Sequence, residues 1–199
     1  MSYLQTVDPA VAEPGLAALY ADDEGSLGYI ANYTRTFSPR PEVYRAWRQL
    51  NGAIKGGMDQ RRYEVATVAA ARELRSSYCA LAHGAVLARH HLPASGVRAL
   101  ITDADDPALD PVDRAVAGLA AKVAGGGFAI TEADLAPLRE LGVSDPEILD
   151  VVLAAAARCF FSTVLDATGT RPDAGCGAAL DEVTRDTLTV GRPVDGAPD

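Results

Sequence analysis

A chain of 199 residues with 27 acidic and 18 basic side chains, and so a net charge of −9, has room for one or two domains and a sizeable core. It holds no block of Lys or Arg, which excludes a nucleic-acid partner, and no apolar run reads as a bilayer span, so no membrane partner is expected. Three widely spaced cysteines, an odd number, argue for a reducing, cytoplasmic setting and not a disulfide scaffold. The first residues lack the basic-then-apolar order of a signal peptide.

In chain order, residues 1–25 read as an N-terminal arm. Within it Leu16 to Tyr20 is a short apolar helix, closed by Asp22, Asp23, Glu24 and Gly25. Leu27, Ile30, Ala31 and Thr34 repeat at helical spacing until Pro39. Pro41 suits the first turn of a helix through Val43, Tyr44, Trp47, Leu50 and Ile54, which Gly56 and Gly57 stop. Tyr44 and Trp47 are expected to pack in the core or at an interface. Asp59 is a good N-cap for the next helix, which carries Tyr63, Val65, Val68 and Ala69. Neither Gly nor Pro stands at Arg75, Ser76 and Ser77, so the pattern alone leaves open whether that helix breaks there.

Pro93 begins a short segment to Leu100. The acidic stretch 102–107 reads as a solvated turn, since Asp103, Asp105 and Asp106 lack the spacing of a calcium loop. Asp110 and Pro111 open a helix over Val112 to Val123, ended by Gly125, Gly126 and Gly127 as a flexible joint. Thr131 with Asp134 resembles a capping box, and Ser144 or Asp145 caps the helix after it. The run from Ile148 to Phe161 is apolar nearly all round and predicts the buried central helix, with Cys159 in the core. Cys176 lies in a glycine-rich connection before an exposed helix, Ala178 to Leu188. Residues 26–190 form one helical domain, and 191–199 read as a mobile tail. No strand pattern persists. The expected fold is all-α, a compact helical bundle with an N-terminal extension.

The stretch from Tyr63 to His91 holds Glu64, Cys79 and all three histidines of the chain, His83, His90 and His91. On a helix, Cys79 and His83 lie one turn apart on one face. A helix capped by Ser76 places Cys79 in its first turn, where free N–H groups and the dipole favour a thiolate. Against this stands the plainer reading of Cys79 as a small buried hydrophobe and His83 as a core histidine. His90 and His91 read as a solvated helix end, and a metal site with His83 lacks further ligands, so no metal is expected.

Glu64 followed by Ser76-Ser77-Tyr78-Cys79-Ala80-Leu81-Ala82-His83 resembles the active-site signature of the alkylhydroperoxidase-D and carboxymuconolactone decarboxylase superfamily. Its redox members carry a glutamate, then Cys-x-x-Cys, then a histidine four residues after the second cysteine. Here Ser76 stands where the first cysteine would be. Gly28 to Tyr33, Arg40 to Val43 and Ser144 to Leu149 resemble the peroxidase-related branch, and the resemblance spans residues 25–175. It implies the alkylhydroperoxidase-D-like fold, a homo-oligomer and no cofactor. It also implies a break between the helices that brings Glu64 to Cys79. Without that break, the ~19 residues from Glu64 to His83 span roughly 29 Å of axis.

The resemblance implies Cys79 as nucleophile with His83 and Glu64 as proton relays, and Ser76 and Tyr78 at the site margin. Three functions are weighed on it. The first is a peroxidase-like oxidoreductase that reduces hydroperoxides through Cys79, its cycle completed by an external thiol or by Cys176. The second is a cofactor-free acid–base enzyme on a carboxylated lactone, for which Arg72, Arg75, Arg89 and Arg158 are available cations. The third is a non-catalytic oligomeric binding protein. Each catalytic reading takes a small-molecule substrate.

Overall fold

Side-chain caps set where several helices begin. The computed structural model describes residues 2–102 and 106–196. Among them are ten α-helices and no strand: α1 (Pro14–Leu27), α2 (Asn32–Phe37), α3 (Pro41–Gly57), α4 (Gln60–Glu73), α5 (Ser77–His90), α6 (Ala94–Thr102), α7 (Pro111–Gly126), α8 (Glu132–Glu140), α9 (Asp145–Ala167) and α10 (Glu182–Leu188). Asp59 accepts from the Arg62 N–H at 2.9 Å to start α4, and Asp110 accepts from Asp113 at 2.8 Å to start α7. Thr131 with Asp134 and Ser144 with Glu147 form the capping boxes of α8 and α9. The all-α expectation holds. Asp103 and Asp105 lie outside the described residues.

The centre of the bundle is α4, not α9. Every residue from Tyr63 to Ala71 is buried. Small side chains at Ala66, Ala69, Ala70 and Ala71 let α5, α7 and α9 close on it from different sides. In contrast, α9 is buried along one face through Val151, Ala154, Arg158, Phe161 and Leu165, while Leu149, Leu153 and Phe160 are exposed. An apolar composition all round therefore does not mark α9 as central. Cys159 is correspondingly half-buried and not a core residue. The expectation that no apolar run could span a bilayer also needs correction. By length and composition α9 qualifies, at 23 residues with a mean hydropathy of 1.9, and half of that stretch is buried in the fold.

Several boundaries move for physical reasons. The acidic run did not close α1, because Asp23 is buried and accepts from the Ala31 N–H at 3.0 Å. α1 instead continues to Gly28, whose φ of 81° ends it. α10 starts at Glu182 under an Asp181 cap; most of it is exposed, as expected, while Thr184 and Leu188 are fully buried and anchor it. The end of the chain, read as mobile, is held at several points over 191–196. Gly191 N–H donates to Ser77 Oγ at 2.8 Å, Asp195 N–H to the Pro172 carbonyl at 2.8 Å, and Arg192 to the Asp166 carbonyl at 2.9 Å.

The chain reverses between α4 and α5 at Arg75, whose φ of 55° makes it the one non-glycine residue in the left-handed region among those described. Ser76 N–H donates to the Ala71 carbonyl at 2.8 Å, the long-range bond of a Schellman-type helix end. A side chain in that conformation costs roughly 1–2 kcal/mol. The far end of the chain braces it, with Arg75 Nε donating to the Val190 carbonyl at 3.3 Å. Gly191 lies so close that a Cβ there would run into the Arg75 carbonyl oxygen. Gly191→Ala should therefore destabilise the protein by about 1–3 kcal/mol. Gly118→Ala, in open space within α7, should stabilise it by about 0.5–1 kcal/mol. Urea unfolding midpoints of the two variants check both signs.

Candidate active site

Helices α2, α3, α5 and α9 wall one cavity of about 210 Å³, lined by Tyr33, Tyr44, Trp47, Asn51, Tyr78, Cys79, Ala82, His83, Arg158 and Phe161, with α4 packed behind it. On α3, Trp47, Asn51 and Lys55 recur every four residues and so share a face. α4 supplies Tyr63 and Glu64, α5 supplies Cys79 and His83 one turn apart, and α9 supplies Arg158 and Phe161.

The reversal at Arg75 does what the resemblance required, with one difference. Glu64 meets His83 and not Cys79. His83 Nδ1 lies 2.6 Å from Glu64 Oε2, and Lys55 Nζ donates to Glu64 Oε1 at 3.1 Å. Burial pushes the Glu64 carboxyl up. The His83 hydrogen bond and the charges beside it, including that of Lys55, outweigh burial and hold the carboxyl below its ordinary range. Burial and the nearby Arg158 charge hold the His83 imidazole below its ordinary value, against the opposing pull of Glu64. The pair is therefore a carboxylate and a neutral imidazole. Nδ1–H donates to Glu64, which leaves Nε2 as the basic nitrogen of a ring that lines the cavity.

Cys79 is buried from bulk solvent yet lines this cavity. The polar group on its sulfur is Arg158, whose Nη1 lies 3.5 Å from Sγ. Arg158 Nη2 is 3.5 Å from the Tyr63 hydroxyl, which itself donates to Asn51 Oδ1 at 2.9 Å. The guanidinium faces the rings of Phe161 and Trp47, at 5.8 and 6.0 Å from their centroids. Its Nε has no hydrogen-bond partner among the described residues. Arg158 is only 2% exposed and forms no ion pair with a carboxylate among the described residues. Burial works against its charge, but Cys79 and Tyr63 more than offset this and keep it protonated. A buried cation without a counter-ion is costly, so this one calls for an anion at its open side.

Of the expected site residues, Glu64, Cys79 and His83 come together. Tyr78 lines the cavity with its ring, while its hydroxyl is committed to the Asp173 carboxylate. Burial and that carboxylate push the Tyr78 phenol well above its ordinary value. Ser76 occupies the N-cap position of α5 without a side-chain cap bond and makes no hydrogen bond to Cys79. Its buried hydroxyl faces the Asp166 carboxyl instead, which burial raises and Ser76 partly lowers. Tyr44 and Trp47, expected to be packing residues only, form part of the cavity wall. Lys55 and Asn51 carried no signal in the sequence. Arg158 did carry one, being a single cation in the apolar run from Val151 to Phe161. His90 is exposed and stands apart from the cavity.

No family model matches the chain, and no curated protein matches it. Solved structures do. A peroxidase-related protein from Ralstonia eutropha JMP134, described as an alkylhydroperoxidase AhpD core, is 22% identical with a TM-score of 0.77 over 96% of this chain and 98% of that one. A peroxidase-related protein from Silicibacter sp. TM1040 is also 22% identical, with a TM-score of 0.77 over 88% and 94%. The debrominase Bmp8, in a complex with 2,3,4-tribromopyrrole, is 16% identical with a TM-score of 0.74 over 90% and 96%. Together these likenesses establish the architecture: the chain has the alkylhydroperoxidase-D-like helical fold.

Proposed function

We propose that the chain is a thiol-dependent oxidoreductase that reduces small hydroperoxides through Cys79, with an external thiol as the final reductant in a reducing compartment. One observation carries the reading. A fully buried guanidinium with no carboxylate partner among the described residues stands 3.5 Å from the sulfur, in a cavity that also holds a neutral imidazole one helical turn away. Arg158 supplies the counter-charge for a Cys79 thiolate. His83 Nε2 receives the thiol proton, and Glu64 keeps the ring in the tautomer that can do so. The thiolate attacks the terminal oxygen of the hydroperoxide and the O–O bond breaks. The alkoxide leaves with the proton returned from His83, and Cys79 becomes a sulfenic acid.

The reading predicts that one equivalent of an alkyl hydroperoxide converts Cys79 to a dimedone-trappable sulfenate. In Arg158→Met the rate of that step should fall by about ten- to a hundredfold, the worth of a hydrogen bond to a charged group. A Cys79 that stays inert to hydroperoxide in the folded wild type overturns the proposal.

The pH dependence has a definite sign. His83 acts as a neutral base, so the rate of sulfenate formation should fall as pH drops through the His83 pKa, which lies below the ordinary 6.5. Arg158→Met removes a cation that lowers this pKa and should move the acid limb up. Glu64→Gln removes a carboxylate that raises it and should move the limb down. The same group ties stability to pH. Below 6.5 the unfolded chain takes up a proton that folded His83 refuses, so this contribution shrinks as pH falls from 6.5 to the folded pKa. NMR titration of the His83 ring in the three proteins checks the order.

The unpaired state of Arg158 also favours a second reading, the cofactor-free acid–base enzyme. In it the guanidinium binds the carboxylate of a carboxylated lactone and His83 moves the proton. Turnover of such a lactone that survives Cys79→Ser and is lost in Arg158→Met would replace the thiol reading.

A further inference from the structure

Cys176 lies on the connection between α9 and α10, outside the cavity described above. Its N–H donates to the Asp173 carbonyl at 2.8 Å, and its Sγ lies 4.0 Å from the carbonyl oxygen of Tyr78, the residue before Cys79 in the first turn of α5. Two further contacts press the same loop onto that turn. The Tyr78 hydroxyl donates to the Asp173 carboxylate, and Gly177 sits so close that a Cβ there would lie 3.0 Å from Leu81 Cδ2. Gly177 also takes a φ of 73°, a conformation that suits glycine. The other side of Cys176 faces a groove of about 560 Å³, lined with Arg185, Asp186, Thr189 and Val194. None of these residues borders the Cys79 cavity. The two sulfurs thus line separate openings against the first turn of α5.

We propose that Cys176 is the resolving thiol of the Cys79 cycle, and that a dithiol reductant reaches the resulting disulfide through the groove around Cys176. The inference rests on the thiol oxidoreductase reading above. Cys176 Sγ attacks Cys79 Sγ of the sulfenic acid, the S–S bond forms and the S–O bond breaks. Hydroxide departs with the Cys176 proton as water. The dithiol then reduces the disulfide, returning two electrons and two protons to Cys79 and Cys176 while its own sulfurs join. The electrostatics give the order of events. Burial, the Asp173 charge and the Cys79 charge push the Cys176 thiol up to about 12, so it rests protonated. Oxidation of Cys79 to the neutral sulfenic acid removes one of those opposing charges.

The test treats the full chain with one equivalent of cumene hydroperoxide, blocks remaining thiols with N-ethylmaleimide, and maps the peptides by mass spectrometry. The expected product is a Cys79–Cys176 linked peptide that dithiothreitol reverses. In Cys176→Ser the link should be lost and Cys79 should accumulate as a dimedone adduct. Cys159→Ser should form the link as wild type does. A wild-type protein that holds Cys79 as a sulfenate while Cys176 is still alkylated overturns the resolving role and leaves the proposed function standing. If Cys79 is not oxidised at all, both fall.

Discussion

The site exists because one residue accepts an unfavourable backbone conformation. Arg75 holds a φ of 55°, and the Ser76 to Ala71 hydrogen bond it permits turns α5 back along α4. Without that reversal, Glu64 and His83 belong to one long rod and do not meet. With it, an acid from the second turn of α4 reaches an imidazole from the middle of α5 at 2.6 Å. The conformational cost is set against the packing of the two helices. α4 is buried on all sides over Tyr63 to Ala71, and α5 covers one of those sides. Fully burying each Val or Leu there is worth about 1.5–3 kcal/mol, several times the strain of a single left-handed residue.

Charge decides what the cavity can hold. Lys55 and Arg158 bring two cations to a region with one carboxylate, Glu64, and Lys55 is already spent on it. The neutral state of His83 follows first from its burial and then from the same imbalance, because another positive charge is disfavoured beside Arg158. What remains is one guanidinium in a wall of aromatic rings, in contact with a sulfur. Each proposed reading brings negative charge to that point, on the sulfur in one and on a bound substrate in the other. This is why a peroxidase-type and a lactone-type reading share one cation, and why the fate of Cys79→Ser separates them.

Much of this was legible in the sequence, for reasons that can be named. Caps are local, so Asp59, Asp110, Thr131 and Ser144 marked their helices correctly. The cysteine–histidine pair is an i, i+4 relation within one helix and needed no tertiary information. Two features were not legible. The break at Arg75 carries no glycine, and its support comes from Val190 and Gly191, more than a hundred residues away. The centrality of α4 was hidden because alanine is a weak hydrophobic signal, whereas α9 advertises Leu and Phe side chains that it leaves partly exposed. Arg158 fell between the two cases. Its sequence neighbours are apolar, which marked it as unusual, but only the packing of α9 against α3 and α5 shows which way it faces.

The end of the chain then acquires a role that its composition conceals. Gly191 bonds Ser77 at the start of α5, and Asp195 bonds Pro172 at the start of the Cys176 loop. The residues that brace the reversal therefore also border the groove beside Cys176, which Pro193, Val194 and Gly196 help to line. The segment 190–196 thus supplies both the Val190 and Gly191 contacts at Arg75 and part of the wall of the groove at Cys176. The first turn of α5 meets both features, with Cys79 lining the aromatic cavity and the Tyr78 carbonyl 4.0 Å from Cys176 Sγ. One short length of chain thus both braces the reversal that builds the site and lines the groove beside Cys176.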